Sequence, residues 1–63
     1  MTKWTSNAQW PLRAYRGMDG KGITTDEHRS ENDAKVVCRE LERCGFGGEG
    51  VYFPLRTWVE AKP

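Results

Sequence analysis

Few side chains in this chain have the type and spacing for covalent chemistry. His28 is the only histidine, and with Cys38 and Cys44 it makes at most three soft metal ligands. Their spacing matches no zinc pattern. Cys38 falls on the apolar stripe of an expected helix and reads as a small core residue. Cys44 falls at that helix's C-terminus, where the dipole disfavours a thiolate. No serine, cysteine or lysine has a recognisable activating partner nearby in sequence, so no catalytic residue, metal or cofactor is expected. Gly45, Gly47 and Gly50 spell G-x-G-x-x-G. The dinucleotide fingerprint needs a strand before those glycines and a helix after them. Here the expected order is reversed, and a phosphate would meet the wrong end of the helix.

The residues suited to recognition are Arg13, Tyr15, Tyr52, Arg56 and Trp58. Tyrosine, tryptophan and arginine dominate protein–protein hot spots because they give large rigid contact area with a polar tip. The same set resembles a nucleic-acid platform of stacking rings and phosphate-binding arginines. Against that second reading stands the charge: ten Lys and Arg face nine Asp and Glu, a net +1. No block of like charge exists, whereas phosphate binders carry a clear basic excess.

Positioning those residues requires a sheet and a helix. Ser30 with Asp33 three residues later approximates a capping box. Ala34, Val37, Cys38 and Leu41 follow at helical spacing, and Gly45 stands where a helix takes a left-handed C-terminal residue. The helix is expected over about 31–44, with Glu31 and Lys35 as a favourable pair one turn apart. A first strand is expected over 10–16, where Trp10, Leu12 and Ala14 alternate with Arg13 and Tyr15. The glycine-rich turn 17–22 leads to a second strand over 23–28. A third strand over 51–60 carries Val51, Phe53, Leu55, Thr57 and Val59 on one side. Pro54 cannot donate to a ladder, so that strand belongs at an edge or breaks at a bulge.

The simplest assembly is α+β: a two-layer β-β-α-β fold with a three-stranded, mainly antiparallel sheet in the order 2-1-3 and one helix on one face. Residues 1–9 read as a loose lead-in and 10–63 as one small domain. The expected core is Leu12, Ala14, Ile23, Ala34, Val37, Cys38, Leu41, Val51, Phe53, Leu55 and Val59, with Phe46 as a lid. The recognition residues then project from the far side of the sheet. That side either stays open or is covered by Trp4 and the N-terminal tail.

Sixty-three residues, 30% of them charged, with mean hydropathy −0.82 leave little apolar material for a core and a cleft together. The two cysteines cannot bridge each other on one intact helix. No signal peptide or apolar run of membrane length is evident, and a reduced cytoplasmic protein is the expectation. The segment Glu40-Leu41-Glu42-Arg43-Cys44-Gly45-Phe46-Gly47-Gly48-Glu49-Gly50, leading into Tyr52-Phe53-Pro54-Leu55-Arg56-Thr57-Trp58-Val59-Glu60, gives the chain the look of small orphan proteins of bacteriophages and mobile elements. It resembles those of the anti-CRISPR type. That resemblance implies a non-catalytic inhibitor of a host defence complex, such as a CRISPR effector, acting by stoichiometric protein–protein binding inside a bacterial host. A small nucleic-acid-binding module is the alternative, and a homodimer packed through its aromatic face is a third reading.

Overall fold

In a computed structural model, which describes residues 2–11, 22–45 and 50–63, the chain is α+β. Its elements are β1 (Lys3–Gln9), β2 (Ile23–His28), α1 (Glu31–Cys44) and β3 (Arg56–Lys62). The sheet order is β2-β1-β3, and both pairings are antiparallel. The edge strands β2 and β3 are therefore parallel to each other across β1, as the 2-1-3 reading anticipates.

The helix forms where its sequence places it. Ser30 Oγ accepts from the Asp33 N–H at 3.1 Å, satisfying one of the free donors of the first turn. Glu31 and Asp33 meet the positive end of the helix, and Lys35 pairs with Glu31 at 2.8 Å. At the other end the Gly45 N–H donates to the Leu41 carbonyl.

Gly45 has φ 66° and ψ −160°, a combination open essentially to glycine alone. A β-carbon there would stand 2.5 Å from the Tyr52 carbonyl oxygen and 2.9 Å from Val51 Cγ1. The chain thus returns directly against the helix end. Gly45→Ala is expected to cost about 1–3 kcal/mol from backbone strain alone, with the steric clash added. Urea denaturation read by circular dichroism checks it; an unchanged midpoint would contradict the close approach.

The first strand differs from expectation. It is Lys3–Gln9, the central strand, and neither a loose lead-in nor a segment starting at Trp10. Trp10 and Pro11 lie just beyond its end, and residues 12–16 lie outside the described residues. The physical reason is the interior that this strand builds. Directly paired residues share a face and successive ones alternate, so Trp4, Ser6, Ala8 and Trp10 face one way. That side carries the helix, as the hydrogen bond from Thr57 Oγ1 to Glu42 shows, because Thr57 pairs with Ala8. Small Ser6 and Ala8 let Ala34 and Cys38 come close, and all four are buried.

Trp10 closes the end of this layer, 3% exposed, with Nε1 donating to Thr24 Oγ1 at 2.9 Å. Polar residues do much of the central work. Thr5, Ser6 and Asn7 are buried, and their side chains are satisfied by β2, β3 and one another.

The third strand starts later than expected, at Arg56 instead of Val51. Gln9, the last residue of β1, pairs with Arg56, so residues before it have no β1 ladder to join beyond the bond from the Leu55 N–H to the Gln9 carbonyl. Pro54 reinforces that limit. Val51, Phe53 and Leu55 consequently leave the expected core and stand 63%, 52% and 68% exposed. Ile23 is also corrected, at 44%, because its pairing with Gln9 puts it on the side away from the helix. Ala34 and Cys38 are buried as expected, while Val37, Leu41 and Val59 are half-buried. Leu12, Ala14 and Phe46 lie outside the described residues.

Candidate interaction surface

The sheet face away from the helix is laid out by register. Lys3, Thr5, Asn7 and Gln9 of β1 lie between Ile23, Thr25 and Glu27 of β2 and Arg56, Trp58, Glu60 and Lys62 of β3. At its centre Thr25 Oγ1 donates to Asn7 Oδ1 at 2.8 Å, and Asn7 Nδ2 donates to Thr5 Oγ1 and to the Trp58 carbonyl. Lys3 and Glu27 form an exposed ion pair at 3.3 Å. Exposed pairs of this kind contribute little to stability.

Along β3 the alternate residues Arg56, Trp58 and Glu60 form a row. The Arg56 guanidinium carbon lies 4.3 Å from the centroid of the Trp58 ring, within cation–π range. Trp58 Nε1 donates to Glu60 Oε1 at 2.7 Å. The indole is held from both sides, so little rotamer freedom remains for a partner to remove. Trp58 is half-buried, and Arg56 and Glu60 are exposed.

Of the residues singled out by sequence, Arg56 and Trp58 occupy this face together. Tyr52 does not join them: it precedes β3, is half-buried, and its carbonyl packs against Gly45 at the helix end. Arg13 and Tyr15 lie outside the described residues. The sequence reading missed Glu60 as the third member of the row, although the spacing Arg56-x-Trp58-x-Glu60 is the signal for one strand face. It also missed the exposed cluster of Val51, Phe53 and Leu55. The first two converge on Gly45, and Leu55 bonds to the end of β1, so all three stand at the end of the molecule where the helix finishes. Ile23 belongs to the same end of the sheet.

A nucleophile–base separation occurs in the fold between residues far apart in sequence. Ser6 Oγ lies 2.7 Å from His28 Nε2, within the range of activated serines. Ser6 is only 2% exposed and belongs to the helix-covered side of the central strand, so a substrate carbonyl has no path to Oγ. No carboxylate among the described residues hydrogen-bonds the other ring nitrogen. The contact ties β1 to β2. Among the described residues no group of three His, Cys, Asp or Glu side chains could hold a metal, and no helix is long and apolar enough to cross a membrane. Comparison with protein-family models, with curated protein sequences and with solved structures returned no match.

Proposed function

We propose that this chain is a small non-catalytic binding module that acts by stoichiometric occupation of a surface on another protein. The observation that carries the reading is the pre-set Arg56–Trp58–Glu60 row, which runs on from the exposed apolar residues Val51, Phe53 and Leu55. A sequence this poor in apolar residues leaves these three largely in water, and Ile23 and Val36 partly so. Exposed apolar groups beside an ordered tryptophan and arginine are the composition of an interface core. Trp58 is the anchor, and Arg56 offers a planar fork to a carboxylate while its flat side stays on the ring. The resemblance to phage-encoded inhibitors makes a bacterial defence complex, CRISPR effectors first, the target class to test.

Calorimetric titration against purified complexes of that class tests the reading. Trp58→Ala is expected to weaken binding by about 2–4 kcal/mol, the range for a hot-spot residue. The variant should stay folded, with its melting temperature lowered only by the half-buried ring it loses. Unchanged affinity together with a lowered melting temperature would make Trp58 a packing residue and overturn the proposal.

A further inference from the structure

Strand β3 is an edge of the sheet, and its backbone pattern determines how a further strand can pair with it. The Trp10 N–H bonds to Gly22, on the β2 side. Neighbouring residues of a strand turn their backbone groups to opposite sides, so the even positions of β1 serve β2 and the odd ones serve β3. Arg56, Trp58, Glu60 and Lys62, paired with those odd positions, therefore bond inward. Carbonyls of Trp58 and Glu60 accordingly also receive the Asn7 amide and the Thr5 hydroxyl. Thr57, Val59 and Ala61 turn their N–H and C=O groups out of the sheet. Pro54 and Lys62 bracket this open stretch, which limits pairing to a short segment.

A second β3 running antiparallel can bond only through the outward residues, so the two-fold axis passes through one of the residues 56–60. Through Arg56 or Glu60 that residue meets its own copy, a like-charge pair. Through Val59, Arg56 meets Lys62 of the second copy, a like-charge pair. Through Thr57, Glu60 meets Pro54 and finds no cation. Through Trp58, Arg56 meets Glu60 of the second copy, and symmetry repeats that pair. Thr57 and Val59 of each copy exchange both backbone bonds with Val59 and Thr57 of the other, and exposed Leu55 faces Ala61. The two Trp58 residues face each other at a non-hydrogen-bonded position, where side chains approach most closely. Side-chain geometry agrees with this register. Among the described residues Arg56 lies on Trp58 and has no ion pair, while Glu60 receives the indole N–H on Oε1 and has no bond at Oε2.

We infer that the chain forms a two-fold dimer in which the β3 strands pair antiparallel about Trp58, making one continuous six-stranded sheet. Its face away from the helices carries two Trp58 rings at the centre, each flanked by an intermolecular Arg56–Glu60 pair. The dimer does not depend on the partner-binding reading, although a partner's carboxylate would compete with Glu60 of the second copy for Arg56; either reading can fail alone.

Sedimentation equilibrium over a wide concentration range tests it, with Arg56→Glu, Glu60→Arg and the double variant beside the original chain. The original chain should pass from the 7.2 kDa monomer to twice that mass. Each single reversal sets like charges opposite each other at both symmetric positions and should raise the dissociation constant about tenfold or more. The double reversal restores opposite charges and should return it close to the original value. Hydrogen exchange of the unmutated chain supplies a readout independent of any folding defect. The Thr57 and Val59 amides should gain protection as concentration rises, while the Trp58 amide, bonded to β1, is protected throughout. A monomer at every concentration, single reversals without effect, a double reversal that fails to recover, or unprotected Thr57 and Val59 amides in the dimer would each overturn the inference.

Discussion

Trp10→Ala is expected to leave the chain largely unfolded at room temperature. Removing a buried aromatic side chain costs about 3–5 kcal/mol, from lost transfer energy and the cavity left behind. A core in a domain of this size rarely supplies more than about 3–5 kcal/mol of net stability, so the loss matches the whole. Trp10 is the largest buried apolar side chain among the described residues, the other buried apolar residues being Ala8, Ala34 and Cys38. Small residues cannot close over the gap that it would leave. Trp10→Phe keeps most of the ring but leaves Thr24 Oγ1 without the indole N–H, and it should fall between the two. Urea titrations followed by circular dichroism separate the three chains. A cooperative transition for the alanine variant within about 1 kcal/mol of the original would place the main packing elsewhere.

The helix was legible because it rests on a local, repeating signal, whereas the strand order followed from the simplest β-β-α-β assembly. Ser30 and Asp33 mark the start, Ala34, Cys38 and Leu41 mark the buried stripe, and Gly45 marks the end at a backbone conformation that other residues avoid. The central strand was not legible, and its chemistry explains why. A strand against a closely packed helix needs small side chains on that side, so Ser6 and Ala8 stand where sequence reading seeks Val or Ile. On its other side Thr5 and Asn7 are buried although polar, their side chains hydrogen-bonded to their neighbours. Neither side leaves the alternation of hydrophobicity that identifies strands.

The opposite failure occurred at Val51, Phe53 and Leu55. Their alternation is strong, but alternation reports only that one side is apolar, not that a core exists to receive it. The length of β1 decides that question. Its ladder to β3 ends at the Gln9–Arg56 pair, and the apolar row beyond that pair is left in water. Of the candidate site, Arg56 and Trp58 were readable from strand parity. Parity is unaffected by an error in where a strand begins, so these two survived a shift of five residues in its start.

A polar interior of this kind makes a second large effect expected, at Asn7. Its amide donates to Thr5 Oγ1 at 3.1 Å and to the Trp58 carbonyl at 3.3 Å, and accepts from Thr25 Oγ1 at 2.8 Å. Asn7→Asp preserves the shape and replaces the donor by an oxygen facing the Trp58 carbonyl. Ionised, that carboxylate is buried with only the neutral Thr25 and Thr5 hydroxyls as donors and with a carbonyl dipole pointing at it. The loss should be on the order of 3 kcal/mol, above that of a neutral unpaired group because a charge is buried. Protonated, the acid can donate to the Trp58 carbonyl and recover part of the network. Folding therefore favours the protonated form and raises the carboxyl above its ordinary value near about 4. A folded state that holds its proton more tightly than the unfolded chain loses stability as pH rises. The deficit of the variant relative to the original chain should thus be small in acid and grow between about pH 4 and pH 7. Comparing both proteins at each pH removes the contribution of the other carboxylates. A deficit constant across that range would mean that the Asn7 position admits water, and that the centre of the sheet is not sealed by its hydrogen bonds.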